Sequence, residues 1–110
     1  MVNAEAEMID IINTEKLHEL YGSDETAQDI IHMFIDRSSQ LFSDLKEACG
    51  SDNLEALRRI CHKGIGQSRY IAAPLLEEAL RDLQEASASE RQNFLDVIDS
   101  MLQQIRHAYT

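Results

Sequence analysis

Apolar residues recur at helical spacing along most of this chain. Between Ser23 and Gly50 they stand at Ile30, Ile31, Phe34, Ile35, Leu41, Phe42 and Leu45. Intervals of three, four and seven residues place such positions on one face of an α-helix. Similar stripes follow at Leu54, Leu57, Ile60 and Cys61, then at Leu75, Leu76, Ala79, Leu80 and Leu83, and then at Phe94, Leu95, Val97, Ile98, Met101, Leu102 and Ile105. The pattern predicts four long amphipathic helices.

Residues that start and stop helices separate these stripes. A short helix from about Thr14 to Tyr21 fits between Asn13, a preferred N-cap residue, and Gly22, a preferred stop. The long helices are expected to begin after Ser23-Asp24, after Ser51-Asp52, near Pro74, and at Ser87 or Ser89. The first of them is expected to end near Cys49-Gly50 and the second near Ile71. Asp52 with Glu55, Ser87 with Glu90, and Ser89 with Gln92 stand in capping-box register.

Four such helices with short connections bury their apolar faces most economically by packing on one another. The sequence therefore predicts an all-α fold, an up-down-up-down four-helix bundle with a short extra N-terminal helix that covers one end. A length of 110 residues favours one domain over residues 1–110.

Composition excludes several classes of partner. Ten Lys and Arg against 20 Asp and Glu give a net charge of −10, which disfavours binding to nucleic acid or to an anionic membrane surface.

The longest apolar stretch, residues 71–76, is too short to span a membrane, and the start Met1-Val2-Asn3 does not resemble a secretory signal. Two cysteines do not make a disulfide framework. We expect a cytoplasmic monomer.

Charge is distributed unevenly. Residues 56–76 contain no Asp or Glu but include four bases, Arg58, Arg59, Lys63 and Arg69. A basic patch on an acidic protein indicates an anionic ligand or an acidic partner. Alternatively, these bases form salt bridges with acids on neighbouring helices.

His62 lies inside this basic window. It follows the apolar Cys61 by about 100° of helical rotation, so we expect its ring at the edge of the stripe or outside it. Arg58, Arg59 and Gly66 stand three or four residues away on the same side. Glycine in a helix interior costs about 1 kcal/mol relative to Ala. Gly64 and Gly66 therefore either admit the backbone of a partner to the imidazole or allow close helix–helix packing.

A neutral imidazole is a nucleophile at neutral pH, and neighbouring Arg and Lys side chains stabilise a phosphoryl group through charge-assisted hydrogen bonds. The sequence contains no phosphate-cradling nucleotide motif. A phosphoryl group on His62 would therefore have to come from another protein.

These residues resemble the signature of the histidine-containing phosphotransfer (HPt) family. The matching positions are His62, Gly66, Ser68, Ile71-Ala72-Ala73 and Leu76, and the resemblance extends over nearly the whole chain. One position departs from the pattern, because the family usually has Lys three residues after the histidine and this chain has Ile65.

The resemblance implies a phosphorelay intermediate, which accepts a phosphoryl group on His62 from a receiver-domain aspartate and passes it to another receiver. The implied partners are response-regulator receiver domains and a hybrid sensor histidine kinase, and the chain would be a phosphocarrier rather than an enzyme. We expect no cofactor on this chain, with Mg²⁺ held by the receiver. Phosphate support is expected from Arg58, Arg59, Lys63 and Arg69, and receiver docking from Ile65 and Gly66.

Gln84 is a further candidate. If the second and third long segments turn at Ala73, positions 62 and 84 are equidistant from the turn and face each other. The family often places a glutamine there, so the resemblance implies that Gln84 orients the ring of His62. Alternatively, Gln84 is simply exposed to solvent.

Specific residues leave other functions open. A structural bundle, or a family member that binds a receiver without accepting phosphate, is the main alternative. Glu15-x-x-His18 and Asp29-x-x-His32 superficially suggest a di-iron bundle, but further facing Glu ligands are not apparent. Cys49 and Cys61 lack zinc-site spacing, and we expect no metal site. His107 is expected to satisfy the last carbonyls of its helix.

Overall fold

The computed structural model describes residues 11–109, and within them it contains five helices and no strand. In chain order they are α1 (Thr14–Tyr21), α2 (Asp24–Gly50), α3 (Leu54–Tyr70), α4 (Pro74–Glu85) and α5 (Arg91–Tyr109). The predicted all-α fold, with four long helices after a short one, is confirmed. The start of the chain, on which the absence of a secretory signal was argued, lies outside the described residues.

The predicted ends of α1 and the start of α4 are confirmed. The side chain of Asn13 accepts a hydrogen bond from the backbone N–H of Lys16 at 3.0 Å. Gly22 adopts a left-handed conformation, φ 75°, and its N–H donates to the carbonyl of His18 at 2.7 Å. Pro74 occupies the first turn of α4, where its missing N–H leaves no helical hydrogen bond unmade.

The predicted starts of α3 and α5 need correction. Asn53, not Asp52, caps α3, because its side chain accepts from the backbone N–H of Ala56 at 3.1 Å. Asp52 instead has a positive φ of 54° and pairs with Arg91 at 2.7 Å. Ser87 and Glu90 do bond to each other, at 3.0 Å between Oγ and Oε1, but a turn follows them and α5 starts only at Arg91.

The four long helices pack as a ring around one buried core. α3 contacts α2 and α4, and α5 contacts α4 and α2. The core is formed by the apolar stripes, with Leu45, Cys61, Leu76, Leu80 and Ile98 fully buried. The up-down-up-down order around the ring stays a prediction. Among the described helices, none is long and apolar enough to cross a membrane.

The short helix α1 covers the end of the bundle at which α3 turns into α4. The hydroxyl of Tyr21 donates to the carbonyl of Tyr70 at 2.6 Å, and the N–H of Asn13 donates to the carbonyl of Ala72 at 2.7 Å. The first bond satisfies the carbonyl of the last residue of α3, which has no partner within the helix, and the second satisfies a carbonyl in the turn between α3 and α4. They also bring the exposed side of α1 beside the last turn of α3.

Cys61, which directly precedes His62, is fully buried, and we expect its thiol to be unreactive. Removal from water raises the pKa of the Cys61 thiol to about 12, and it raises that of Cys49 as well. Because the thiolate is the nucleophile, we expect iodoacetamide at pH 8 to leave Cys61 unmodified in the folded protein and to react slowly at Cys49. Peptide mass spectrometry reads both sites, with the urea-unfolded protein as the fully reactive control. Rapid native alkylation of Cys61 would contradict this packing of α3.

Candidate functional site

The imidazole of His62 is exposed on the outer face of α3, as the sequence predicts. It makes no hydrogen bond or ion pair with any of residues 11–109. Two other exposed histidines differ. His18 lies 3.5 Å from a carboxylate oxygen of Asp24, and Nε2 of His32 lies 2.8 Å from the backbone carbonyl of Tyr109. The ring of His62 therefore keeps both nitrogens open to solvent.

The two glycines of α3 have different surroundings. A Cβ at Gly64 would lie 3.0 Å from Cδ1 of Leu80 and 3.4 Å from Cδ1 of Leu41, so this glycine lets α3 pack closely on both neighbouring helices. A Cβ at Gly66 would meet nothing within 4 Å. Close packing therefore explains Gly64, while Gly66 leaves bare backbone on the surface one turn beyond His62.

Three of the predicted basic residues are exposed and form no ion pair within the described part of the chain: Arg58, Arg59 and Lys63. Arg58 lies about 40° round the helix from His62, one turn before it. Arg59 and Lys63 line a groove of about 930 Å³ between α2 and α3, with three acids of α2 on its lining, namely Asp36, Asp44 and Glu47. The unpaired bases thus give the surface around His62 a positive edge.

Arg69 is engaged in the kind of salt bridge that the sequence left open as an alternative. Its Nε and Nη2 donate to Oε2 of Glu77 at 3.2 and 3.1 Å. Nη2 of Arg81 donates to the same oxygen at 2.8 Å. Hydrogen bonds from Arg81 and then Arg69 hold the pKa of the Glu77 carboxyl below its ordinary value. This Arg–Glu–Arg cluster joins α3 to α4.

The same contact fixes how α3 and α4 face each other. Arg69 and Glu77 are equidistant from Ala73, the centre of symmetry that relates His62 to Gln84. Gln84 thus stands at the level of His62 and is half-buried. Within residues 11–109 it forms no hydrogen bond with the imidazole. That Gln84 faces His62 and orients its ring therefore stays a prediction.

The structure corrects the expectation that Ile65 is a docking residue. Ile65 is only 6% exposed, because the α3 surface that carries it packs into the core. Exposed apolar side chains instead gather around the C-terminal end of α3: Leu20 of α1 and Met33 of α2, each 49% exposed, and Tyr70 of α3, 68% exposed. With Gly66 we call these residues the Tyr70 patch.

The Tyr70 patch borders two shallow depressions that are lined in part by apolar side chains. One depression is lined by Leu20, Tyr21, Gly66, Arg69 and Tyr70, and a second beside it by Ile30, Met33, Phe34, Arg37, Gln67, Tyr70 and Ile71. The sequence analysis missed this patch because its members come from three helices. The residue that could have indicated the patch from the sequence is Tyr70, an aromatic residue eight positions after His62 on the polar side of α3.

Metal-binding side chains do not gather in residues 11–109, where no three His, Cys, Asp or Glu form a group that could hold an ion. The pairs Glu15–His18 and Asp29–His32 receive no third ligand there. His107 forms no hydrogen bond in this part of the chain.

A family model described as Hpt domain matches residues 29–108. No curated protein and no solved structure matches the chain. The matched range runs from the first turns of α2 almost to the end of α5, so it contains His62, the α3–α4 hairpin and Gln84.

Proposed function

Because the chain belongs to the Hpt family, whose helical domains carry phosphoryl groups in two-component signalling, we propose that it is a phosphorelay intermediate with His62 as its phosphorylated residue. The relay runs from the aspartate of one receiver domain to that of another. The observation that carries this proposal is the ring of His62, exposed and unbonded among residues 11–109, beside bases without ion-pair partners there.

The chemistry requires little of this chain beyond an open nitrogen. A lone pair of the neutral imidazole attacks the phosphorus of the aspartyl phosphate, the new N–P bond forms, and the P–O bond to the aspartate breaks. The leaving group is the aspartate carboxylate, and the other ring nitrogen keeps its proton. The cations near His62 stabilise the charge on the transferring phosphoryl oxygens. In the proposal, Mg²⁺ belongs to the receiver, and the upstream donor is a hybrid sensor kinase.

The docking surface in this proposal is the Tyr70 patch, which includes the bare backbone of Gly66. An exposed tyrosine, leucine and methionine around the end of the helix that carries His62 provide the apolar contact that a transient protein interface needs. Gly66 is the member of the patch one turn beyond His62 on α3, so a partner seated on the patch can bring its aspartyl phosphate to the ring. This surface replaces Ile65 in the expected set of docking residues.

A transfer assay tests the function. Receiver domains encoded in the same genome are phosphorylated with acetyl phosphate, cleared of the donor and mixed with this protein. We expect acid-labile, alkali-stable phosphate to move to the protein from at least one receiver, as a phosphoramidate bond requires. Receiver binding without any transfer would contradict the relay and favour the alternative, a family member that docks but does not accept phosphate.

Substitution of Gly66 tests the docking surface separately from folding. Nothing lies within 4 Å of a Cβ there, so Gly66→Ala should fold and gain up to about 1 kcal/mol in the free energy of unfolding from its better helix propensity. Gly66→Leu should fold as well, but its side chain obstructs the approach to His62. We expect about tenfold slower transfer from a phosphorylated receiver, measured by quench flow. Unchanged transfer to Gly66→Leu would show that the partner does not approach over Gly66.

A further inference from the structure

The second depression beside the Tyr70 patch lies between α2 and α3 and is largely uncharged. Among residues 11–109, Arg37 of α2 is the one charged side chain on its lining. The other lining residues are apolar or neutral: Ile30, Met33, Phe34, Gln67, Tyr70 and Ile71. Its volume of about 200 Å³ is below the roughly 300–1,000 Å³ of a small-molecule site. The depression therefore suits a single large apolar side chain of another protein.

Arg37 has no partner that would balance its charge within the described part of the chain. Its side chain is exposed and forms no ion pair there. The three acids of α2 on the lining of the neighbouring groove do not pair with it. Arg69, on the lining of the other depression, differs because Glu77 neutralises it. Arg37 thus adds an unbalanced positive charge to an apolar part of the docking surface.

The position of Arg37 connects it to the approach toward His62. Side chains on an α-helix lean toward its N-terminus, so Arg37 leans over the preceding turn of α2, where Met33 lines the same depression. Tyr70 lines this depression and also the one to which Gly66 contributes, so the two are continuous. A partner that fills the depression therefore meets Arg37 in the same docked position that brings it over Gly66, one turn beyond His62.

The group that complements this arginine is a carboxylate. A guanidinium offers a planar fork of N–H donors that matches the two oxygens of Asp or Glu. The net charge of −10 repels an acidic partner from most of the molecule, so an exposed cation on the docking surface selects the orientation in which a partner's acid faces it.

We propose that Arg37 is a specificity-determining residue for receiver docking: it donates to an Asp or Glu of the receiver, whose neighbouring apolar side chain fills the depression between α2 and α3. This inference rests on the proposed function in that it takes a receiver as the partner. It adds which receivers the chain selects, namely those that present an apolar residue and an acid side by side.

Receiver binding without any phosphate transfer is the first test. Titration calorimetry gives the dissociation constants of receiver domains encoded in the same genome. For the receiver that binds most tightly, we expect Arg37→Gln to weaken binding about two- to fivefold, the range of one exposed ion pair. Arg37→Glu should weaken it about tenfold or more, because it places two like charges together. Arg37→Lys keeps the charge without the fork and should restore part of the loss.

Lys46→Glu is the matched control for charge reversal. Lys46 is exposed on the same helix but lines neither depression, so its reversal should change the dissociation constant by less than about twofold. A charge swap then identifies the partner residue. One Asp→Arg or Glu→Arg variant of the receiver, outside its phosphorylation site, should bind Arg37→Glu more tightly than it binds the wild type.

Phosphoramidate separates docking from chemistry, because it phosphorylates histidine without any receiver. The imidazole nitrogen attacks phosphorus, the P–N bond of the donor breaks, and the departing amine leaves as ammonia. Arg37→Glu should load His62 to the same extent as the wild type, measured by ³¹P NMR. Loading that falls as much as receiver binding would assign Arg37 to the phosphate and overturn its role in docking.

Two binding results would also overturn the proposal: Arg37→Glu binds receivers as Lys46→Glu does, or no charge-reversed receiver prefers Arg37→Glu. Absence of any receiver binding would overturn both this proposal and the relay. Failure of the relay alone is a separate result. If receivers bind with the expected dependence on Arg37 but no phosphate reaches His62 from them, the relay is wrong and the docking role of Arg37 stands.

Discussion

Replacing His62 by glutamine is expected to abolish the acid-labile phosphate that the protein takes from a phosphorylated receiver. Glutamine keeps a polar side chain of similar size but has no nucleophilic lone pair on nitrogen. Because His62 is exposed and unbonded among residues 11–109, we expect the free energy of unfolding to change by no more than about 0.5 kcal/mol. The measurement pairs a ³²P transfer assay with urea denaturation of the same preparation.

His107→Gln is the matched control for this loss. His107 is also exposed and forms no hydrogen bond in the described part of the chain, but it lies at the end of α5, far along the sequence from the bases of α3. The control should take up phosphate like the wild type. A His62→Gln protein that labels as well as His107→Gln would remove His62 from the chemistry altogether.

The largest effect on stability is expected at Leu80, the residue on which Gly64 packs. Leu80 is fully buried, and its Cδ1 atom lies where a Cβ at position 64 would touch it. Leu80→Ala removes this contact and leaves a cavity between α3 and α4, which costs about 2–5 kcal/mol in the free energy of unfolding. That is a large share of the roughly 5–15 kcal/mol of a typical domain. The midpoint of urea unfolding measures it.

Leu75→Ala provides the comparison within the same helix. Leu75 is 44% exposed in the first turn of α4, so its truncation removes little buried surface, and we expect a loss of no more than about 0.5 kcal/mol. Equal losses at Leu75 and Leu80 would mean that α4 presents a different face to the core. In that case Gln84 and Arg81 would also lose the positions assigned to them beside α3.

The helices could be predicted from the sequence because the residues that start and end them act locally. Asn13, Gly22 and Pro74 act within one turn of the backbone they terminate, so the ends they predict agree with the structure. The cap of α3 was misplaced because Asp52 and Asn53 are both good N-cap residues. The choice depends on Arg91, which pairs with Asp52 from 39 residues away.

Only those features of the candidate site that are determined within a single helix could be predicted from the sequence. The exposure of His62 follows from its angle to Cys61 within α3, and both were assigned correctly. The burial of Ile65 and the exposure of the Tyr70 patch depend instead on how neighbouring helices cover α3. The pairing of Arg69 with Glu77 could have been inferred from the symmetry about Ala73 that placed Gln84, had it been applied along the whole hairpin.

The most direct measurement of the central claim is the position of the phosphate in the wild-type protein. The protein is loaded by a phosphorylated receiver, digested at alkaline pH and sequenced by electron-transfer fragmentation, which preserves the N–P bond. We expect phosphate on His62 and on none of the other three histidines. Phosphate on His18, His32 or His107, or on an aspartate, would contradict it.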